Sequence, residues 1–136
     1  MKAYLLVLAW LLLSSWPAAA QSAPGSQARL VVYRQREFDG SPYTIKLNEK
    51  AWSELPTNRY LQVDLPPGRV KIETATDYFS ESQTLWLTLR AGRTYYVKAV
   101  EDVDFMTRTL LLALLSDEQG QRETQGLKPA TIRLPK

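Results

Sequence analysis

Three observations predict an all-β fold for this chain, an antiparallel β-sandwich of six to eight strands. From Ala28 onward apolar and polar residues alternate with period two, the mark of strands with one buried face. β-Branched and aromatic residues concentrate in those runs. Gly and Pro fall between the runs, as they must where Pro has no N–H to give a ladder. Five or more half-buried strands need a second layer over their apolar face, which makes a sandwich.

The elements follow in order. Leu30 to Tyr33 opens the body. Tyr43, Ile45 and Leu47 point one way while Thr44, Lys46 and Asn48 point the other. Leu61, Val63 and Leu65 alternate with Tyr60, Gln62 and Asp64 in the same manner. Val70 to Ile72 comes next. Leu85, Leu87 and Leu89 then interleave with Thr84, Trp86 and Thr88, and Tyr95 to Val100 follows. Pro66-Pro67-Gly68 has type II turn chemistry and predicts a hairpin from Tyr60–Leu65 into Arg69–Thr74. Ala91-Gly92-Arg93 predicts a second hairpin, from Leu85–Arg90 into Thr94–Val100. Asp39-Gly40-Ser41-Pro42 and Leu55-Pro56-Thr57-Asn58 read as loops, with Asn58 suited to a left-handed conformation.

Two segments are less decided. Leu110 to Leu115 is a continuous apolar run whose length favours a buried strand; the alternative is a helix capped by Thr107. Ser116-Asp117-Glu118-Gln119 resembles a capping box, but Gly120 costs a helix about 1 kcal/mol, so helix and turn stand level. Residues 127–136 read as a polar tail in which Thr131-Ile132-Arg133-Leu134 adds an edge strand at most.

Residues 1–20 read as a signal peptide. Lys2 supplies the positive start, Tyr4 to Leu13 the apolar run, and Pro17-Ala18-Ala19-Ala20 the small-residue site, with Ala18 and Ala20 as the recognised pair. The run meets Ser14-Ser15 and Pro17 after about a dozen residues, short of the roughly 20 a spanning helix needs. A cysteine-linked lipid anchor is excluded, because the chain has no Cys. The expected product is periplasmic or secreted, with no stable membrane anchor after cleavage. Gln21 to Gln27 is a flexible leader, and residues 28–126 form one β-sandwich domain. Without disulfides its stability must come from packing and backbone hydrogen bonds.

With Lys2 removed, sixteen basic residues face fourteen acidic ones, interspersed, so neither nucleic acid nor an anionic membrane is expected as partner. The chain has no His and no Cys, which removes Ser-His-Asp and Cys-His catalysis and the histidine and thiolate metal sites. Glu73 and Glu81 could pair as glycosidase acid and base, but solvated strand carboxylates are the plainer reading. Glu101-Asp102-Val103-Asp104 offers oxygen ligands to calcium, yet lacks the spacing of a calcium loop and reads as a solvated turn. No phosphate-cradling glycine loop is present. Neither enzyme activity nor a cofactor is expected.

Aromatic residues are the candidate binding groups, since rigid Trp and Tyr surface binds at low entropic cost. Trp86 lies opposite three leucines and so faces outward. Tyr78 and Phe79 lie in a polar connection, and Trp52 lies between Asn48 and Leu55. These four line a ligand or partner surface, or else Trp52 and Phe79 plug the sandwich ends and Trp86 packs under a loop.

Three pieces read together carry a resemblance: Leu30-Val31-Val32-Tyr33-Arg34, the run from Asn58 through Tyr60 to Pro66-Pro67-Gly68, and Leu87 through Ala91-Gly92 to Tyr95-Tyr96-Val97. Their order resembles a bacterial family of small exported β domains of unknown function, many of them lipoproteins. The middle piece is also similar to the PEGA surface-layer repeat. The resemblance covers Ala28 to about Gly126 and implies an Ig-like or transthyretin-like sandwich in the envelope. It implies no activity and no catalytic residues. The expectation is a noncatalytic envelope protein that binds an envelope protein or cell-wall component through a loop end or an aromatic face. A carbohydrate-binding module using the aromatics, and a homo-oligomer pairing strand edges near Ile132–Leu134, are the alternatives.

Overall fold

A computed structural model of the chain describes residues 25–38, 41–75 and 80–133. The fold is an all-β sandwich. Its elements in chain order are β1 (Ala28–Arg34), β2 (Tyr43–Leu47), β3 (Lys50–Leu55), β4 (Arg59–Leu65), β5 (Gly68–Thr74), β6 (Ser80–Glu81), β7 (Thr84–Leu89), β8 (Thr94–Val103), β9 (Arg108–Leu115), α1 (Asp117–Thr124) and β10 (Lys128–Pro129). Eight of the strands have five residues or more, and β6 and β10 have two each. One sheet runs β10-β4-β1-β8-β9-β6 and the other β3-β2-β5-β7. Pairing is mostly antiparallel, but β1 with β8, β4 with β10 and β6 with β9 are parallel. The immunoglobulin arrangement puts its first strand beside the second and its fourth in the same sheet as both. Here β1 lies between β4 and β8 while β2 is in the other sheet, so the strand order is not the immunoglobulin one.

The alternating residues do what their period dictates. Leu30, Val32, Val97, Ala99 and Leu110 of one sheet meet Ile45, Leu55, Val70, Ile72, Leu87 and Leu89 of the other in one core. β1 is buried on both faces, because α1 crosses the outer side of its sheet above Tyr33, Tyr96 and Lys98. Among the described residues no helix is long and apolar enough to cross a membrane.

Neither expected hairpin forms. β4 and β5 lie in different sheets, as do β7 and β8, so Pro66-Pro67 and Arg90–Arg93 are arches between layers. Turn chemistry marks where a chain reverses but not which strand it pairs with next, and β1 claims both β4 and β8. Gly92 serves its arch through a φ of 78° and a backbone N–H donated to the Gln27 carbonyl at 2.9 Å. A tight hairpin instead joins β2 to β3 through Asn48 and Glu49, at φ 48° and 71°, the double positive φ of a type I′ turn. Asn58 takes φ 58°, as its residue type suggests.

Leu110 to Leu115 is strand, inside β9. The acidic stretch is not a turn up to Val103: Glu101 to Val103 continue β8, and the reversal falls at Asp104–Thr107. The Ser116 capping signal wins over Gly120. Ser116 Oγ accepts from the Gln119 N–H at 3.3 Å, and α1 forms with Asp117 and Glu118 in its first turn. Residues 128–133 are not a free tail but a strap across one side of the sandwich. Ala130 N–H donates to the Tyr60 carbonyl at 2.8 Å, Arg133 N–H to Ser53 Oγ at 3.0 Å, and Glu54 N–H to the Arg133 carbonyl at 3.0 Å.

Candidate functional site

Because β1 and β8 run parallel, Arg34 and Val103 finish at the same end of the sandwich. Residues 35–38 and 41–42, the Pro56–Asn58 turn, the Asp104–Thr107 turn and the joins at Ala75 and Ser80 gather there. Period two puts Arg34 on the core face with Leu30 and Val32, and Glu101 there with Val97 and Ala99. Two charged side chains therefore close the end of the core.

Their partners are satisfied by geometry. Arg34, fully buried, donates from Nη1 to the carbonyls of Ser41 at 2.9 Å and Leu55 at 3.0 Å, and from Nη2 to Glu37 Oε2 at 2.7 Å. Its guanidinium lies 5.2 Å from the Tyr43 ring centroid. Glu37 Oε1 accepts the Glu101 backbone N–H at 2.9 Å. Glu101 Oε2 accepts from Tyr43 hydroxyl at 2.7 Å and from Arg108 Nη2 at 2.8 Å. Burial, and then the bond to Glu101, push the Tyr43 hydroxyl up to about 12. Arg34 Nε is buried without a hydrogen-bond partner among the described residues.

Chemically this network is a clamp. Glu101 takes donors from two sides and Arg34 is engaged by three oxygens, so both side chains are fixed in place. Each bond joins a different segment: Arg34 ties β1 to the 35–42 loop and to β3, and Tyr43 ties β2 to β8. Held on this clamp are large apolar side chains facing water. Phe105 is 96 % and Met106 79 % exposed at the β8–β9 tip, with exposed Val103 beside them and fully exposed Phe38 on the facing loop. Asp102 and Asp104 flank the tip, and Asp104 Oδ1 accepts from the Phe105 N–H at 2.7 Å, which shapes the turn. Next to this end Pro42, Pro56, Arg59, Pro129 and Arg133 line a hollow of about 240 Å³.

The aromatics expected to form the site are not brought together. Trp86 does face outward, 49 % exposed, in register with Lys71. Its ring is already attended by cations, with Arg69 Cζ 4.3 Å and Lys71 Nζ 5.7 Å from the centroid. Trp52 is half-buried and packs against the core from β3, at the opposite edge of the same four-stranded sheet. Three strand spacings, about 14 Å, separate the two. Tyr78 and Phe79 lie outside the described residues, as do Ala18 and Ala20. Of the carboxylate pair, Glu73 is engaged by Lys71 at 3.2 Å in the four-stranded sheet, whereas Glu81 belongs to β6 in the other. Among the described residues no three His, Cys, Asp or Glu converge on a metal-sized site.

Arg34 and the apolar tip escaped the sequence reading for different reasons. A basic residue at the end of an apolar strand looks like a solvated terminus until Glu37, Ser41 and Leu55 close on it. Phe105-Met106 was legible, since two large apolar residues inside a polar turn are out of keeping with a solvated connection. Comparison with protein-family models, curated proteins and solved structures found no match to this chain.

Proposed function

We propose that this chain is an exported, noncatalytic envelope protein that binds a protein partner through its loop end. The observation that carries the reading is the exposed set Phe38, Val103, Phe105 and Met106 mounted on the buried Arg34–Glu37–Glu101–Tyr43 clamp. Exposed aromatic and Met side chains are what protein interfaces are enriched in, and a stiff support reduces the ordering cost of binding. The carboxylates of Asp102 and Asp104 beside the tip disfavour an anionic lipid surface and favour a partner with basic groups around an apolar pocket. Export is supported by the leader pattern of residues 1–20.

The test is site-specific photocrosslinking in producing cells. A photoreactive residue at Phe105 should form a discrete adduct in the envelope fraction, and one at Arg90, on the opposite end, should not. Phe105→Ser with Met106→Ser should abolish the contact and leave the urea midpoint unchanged. Adducts of equal yield at both ends, or none at Phe105, would refute the reading, as would mature protein in the cytosol with residues 1–20 intact.

A further inference from the structure

The two sheets have four edges, and they are not treated alike. β10 is two residues long and contains Pro129, which has no N–H to offer. β3 is covered by the strap at Ser53 and Glu54. The remaining two edges, β7 and β9, lie on the same side of the sandwich. β6 pairs only Arg108 and Thr109 of the eight residues of β9, so the other six, Leu110 to Leu115, present an unpaired edge among the described residues. β7 presents six more, Thr84 to Leu89. Both strands start at the loop end, so the open edges run side by side in the same direction.

The β9 edge has none of the devices that keep strands apart. Leu110-Leu111-Leu112-Ala113-Leu114-Leu115 carries no charge, no Pro and no Gly, and its register against β8 is unbroken. Leu111 on the outer face is 42 % exposed, beside exposed Val100 and Ala113. Leu114, whose register points it at the core, is still 48 % exposed. Apolar surface is thus open on both faces of one strand.

We infer that this side is an interface with a second copy of the same chain, joined by antiparallel β9–β9 pairing about a two-fold axis normal to the sheets. Two open edges on one side decide for a copy over a single extended peptide, which would extend one sheet and leave the other edge bare. A two-fold there continues both sheets at once, with β7 facing its own copy alongside β9. The absence of charge from Leu110 to Leu115 means that self-pairing sets no like charges opposite each other. The surface is separate from the loop end, so either reading can fail alone. It also moves the expected edge: Ile132 lies in no strand and Arg133 is already bonded to β3.

Sedimentation and native mass spectrometry of the mature chain at tens of micromolar should show a dimer. Leu111→Lys with Leu114→Lys puts four charges into the interface and should weaken it about 100-fold or more. Both sites are exposed in the single chain, so its far-ultraviolet spectrum should not change. The absence of cysteine allows a second readout. Single substitutions Leu112→Cys and Ala113→Cys should yield, at whichever position sits on the axis, a symmetric disulfide under mild oxidation, since opposed residues of an antiparallel pair are about 4.5–5.5 Å apart. A monomer at all concentrations, a dimer indifferent to the lysines, or an edge occupied only by a foreign peptide would each overturn the inference.

Discussion

Gly120→Ala separates packing from propensity, because the two predict opposite signs. By propensity alone, Ala in the middle of α1 stabilises by about 1 kcal/mol over Gly. In the fold, a Cβ at position 120 would stand 2.1 Å from Tyr96 Cγ and 2.3 Å from Tyr96 Cβ. Carbon atoms in contact sit at about 3.5–4.0 Å, so helix and strand must part by about 1.5 Å. The obstructing atoms belong to the stem of the tyrosine on central strand β8, and rotation of the ring does not remove them. Overpacking of this kind costs about 1–3 kcal/mol. A helix that lifts also strains the Tyr33 hydroxyl bond to Glu123 Oε2 at 3.2 Å and the Lys98–Glu123 ion pair. Set against the propensity gain of about 1 kcal/mol, and with these two contacts strained, the expected net effect is a loss of about 1–2 kcal/mol, read as a lower urea midpoint at unchanged m-value, with faster amide exchange over 117–124. A variant as stable as the parent, or more so, would mean that α1 does not seat on Tyr96 through its glycine.

The other predictions concern the clamp and the exposed tryptophan. Arg34→Ala should cost about 3–5 kcal/mol, because it leaves Glu37 and two carbonyls without their donor; Arg34→Lys should recover little, since an ammonium does not reproduce the planar fork. Urea titration checks both, and an Arg34→Ala loss below about 1 kcal/mol would show the network to be idle. Tyr43 is held protonated in the fold, from an ordinary 10.0 up to about 12, so its contribution is complete below pH 10.0 and lost as pH rises toward 12. Tyr43→Phe should flatten that alkaline decline in urea midpoint, and an unchanged slope would count against the assignment. Arg69→Ala should uncover the Trp86 ring and raise its acrylamide quenching in a Trp52→Phe background, at a stability cost of about 0.5–1 kcal/mol.

The sequence disclosed what is local. Period two, β-branched and aromatic composition and the length of one apolar run together located seven of the eight longer strands, and the three leucines of β7 sufficed to turn Trp86 outward. β3 was missed because a bulge after Ile45 breaks its alternation and because Asn48-Glu49 is an unusual I′ pair, with Glu where Gly is customary. The two arches were read as hairpins because neighbouring strands in sequence usually pair, and nothing local announces that β1 takes partners from far down the chain. Gly120 counted against a helix in the chain alone; its merit is the empty space it leaves for Tyr96, which only the fold reveals. The candidate site was the least legible part. Arg34, Glu37, Tyr43 and Glu101 are spread over 68 residues of sequence and converge only when the parallel β1–β8 pair brings their ends together.

The location of that clamp bears on what the loop end is for. A buried ion pair is seldom the most stabilising way to fill a space, and apolar residues of similar volume often serve as well or better. Among the described residues the opposite end of this sandwich is closed without one: Val70, Leu87 and Leu89 pack there beneath the arches at Pro66-Pro67 and Arg90–Arg93. Apolar contacts are non-directional and let the loops above them settle in several ways, whereas the bonds from Arg34 and Glu101 fix the 35–42 loop, β3 and the start of β9 to particular atoms of β1 and β8. Directional bonding is placed at the one end where Phe38, Phe105 and Met106 stand in water. That placement is what the proposed binding through this end requires, since a fixed position matters where another surface has to fit against those side chains.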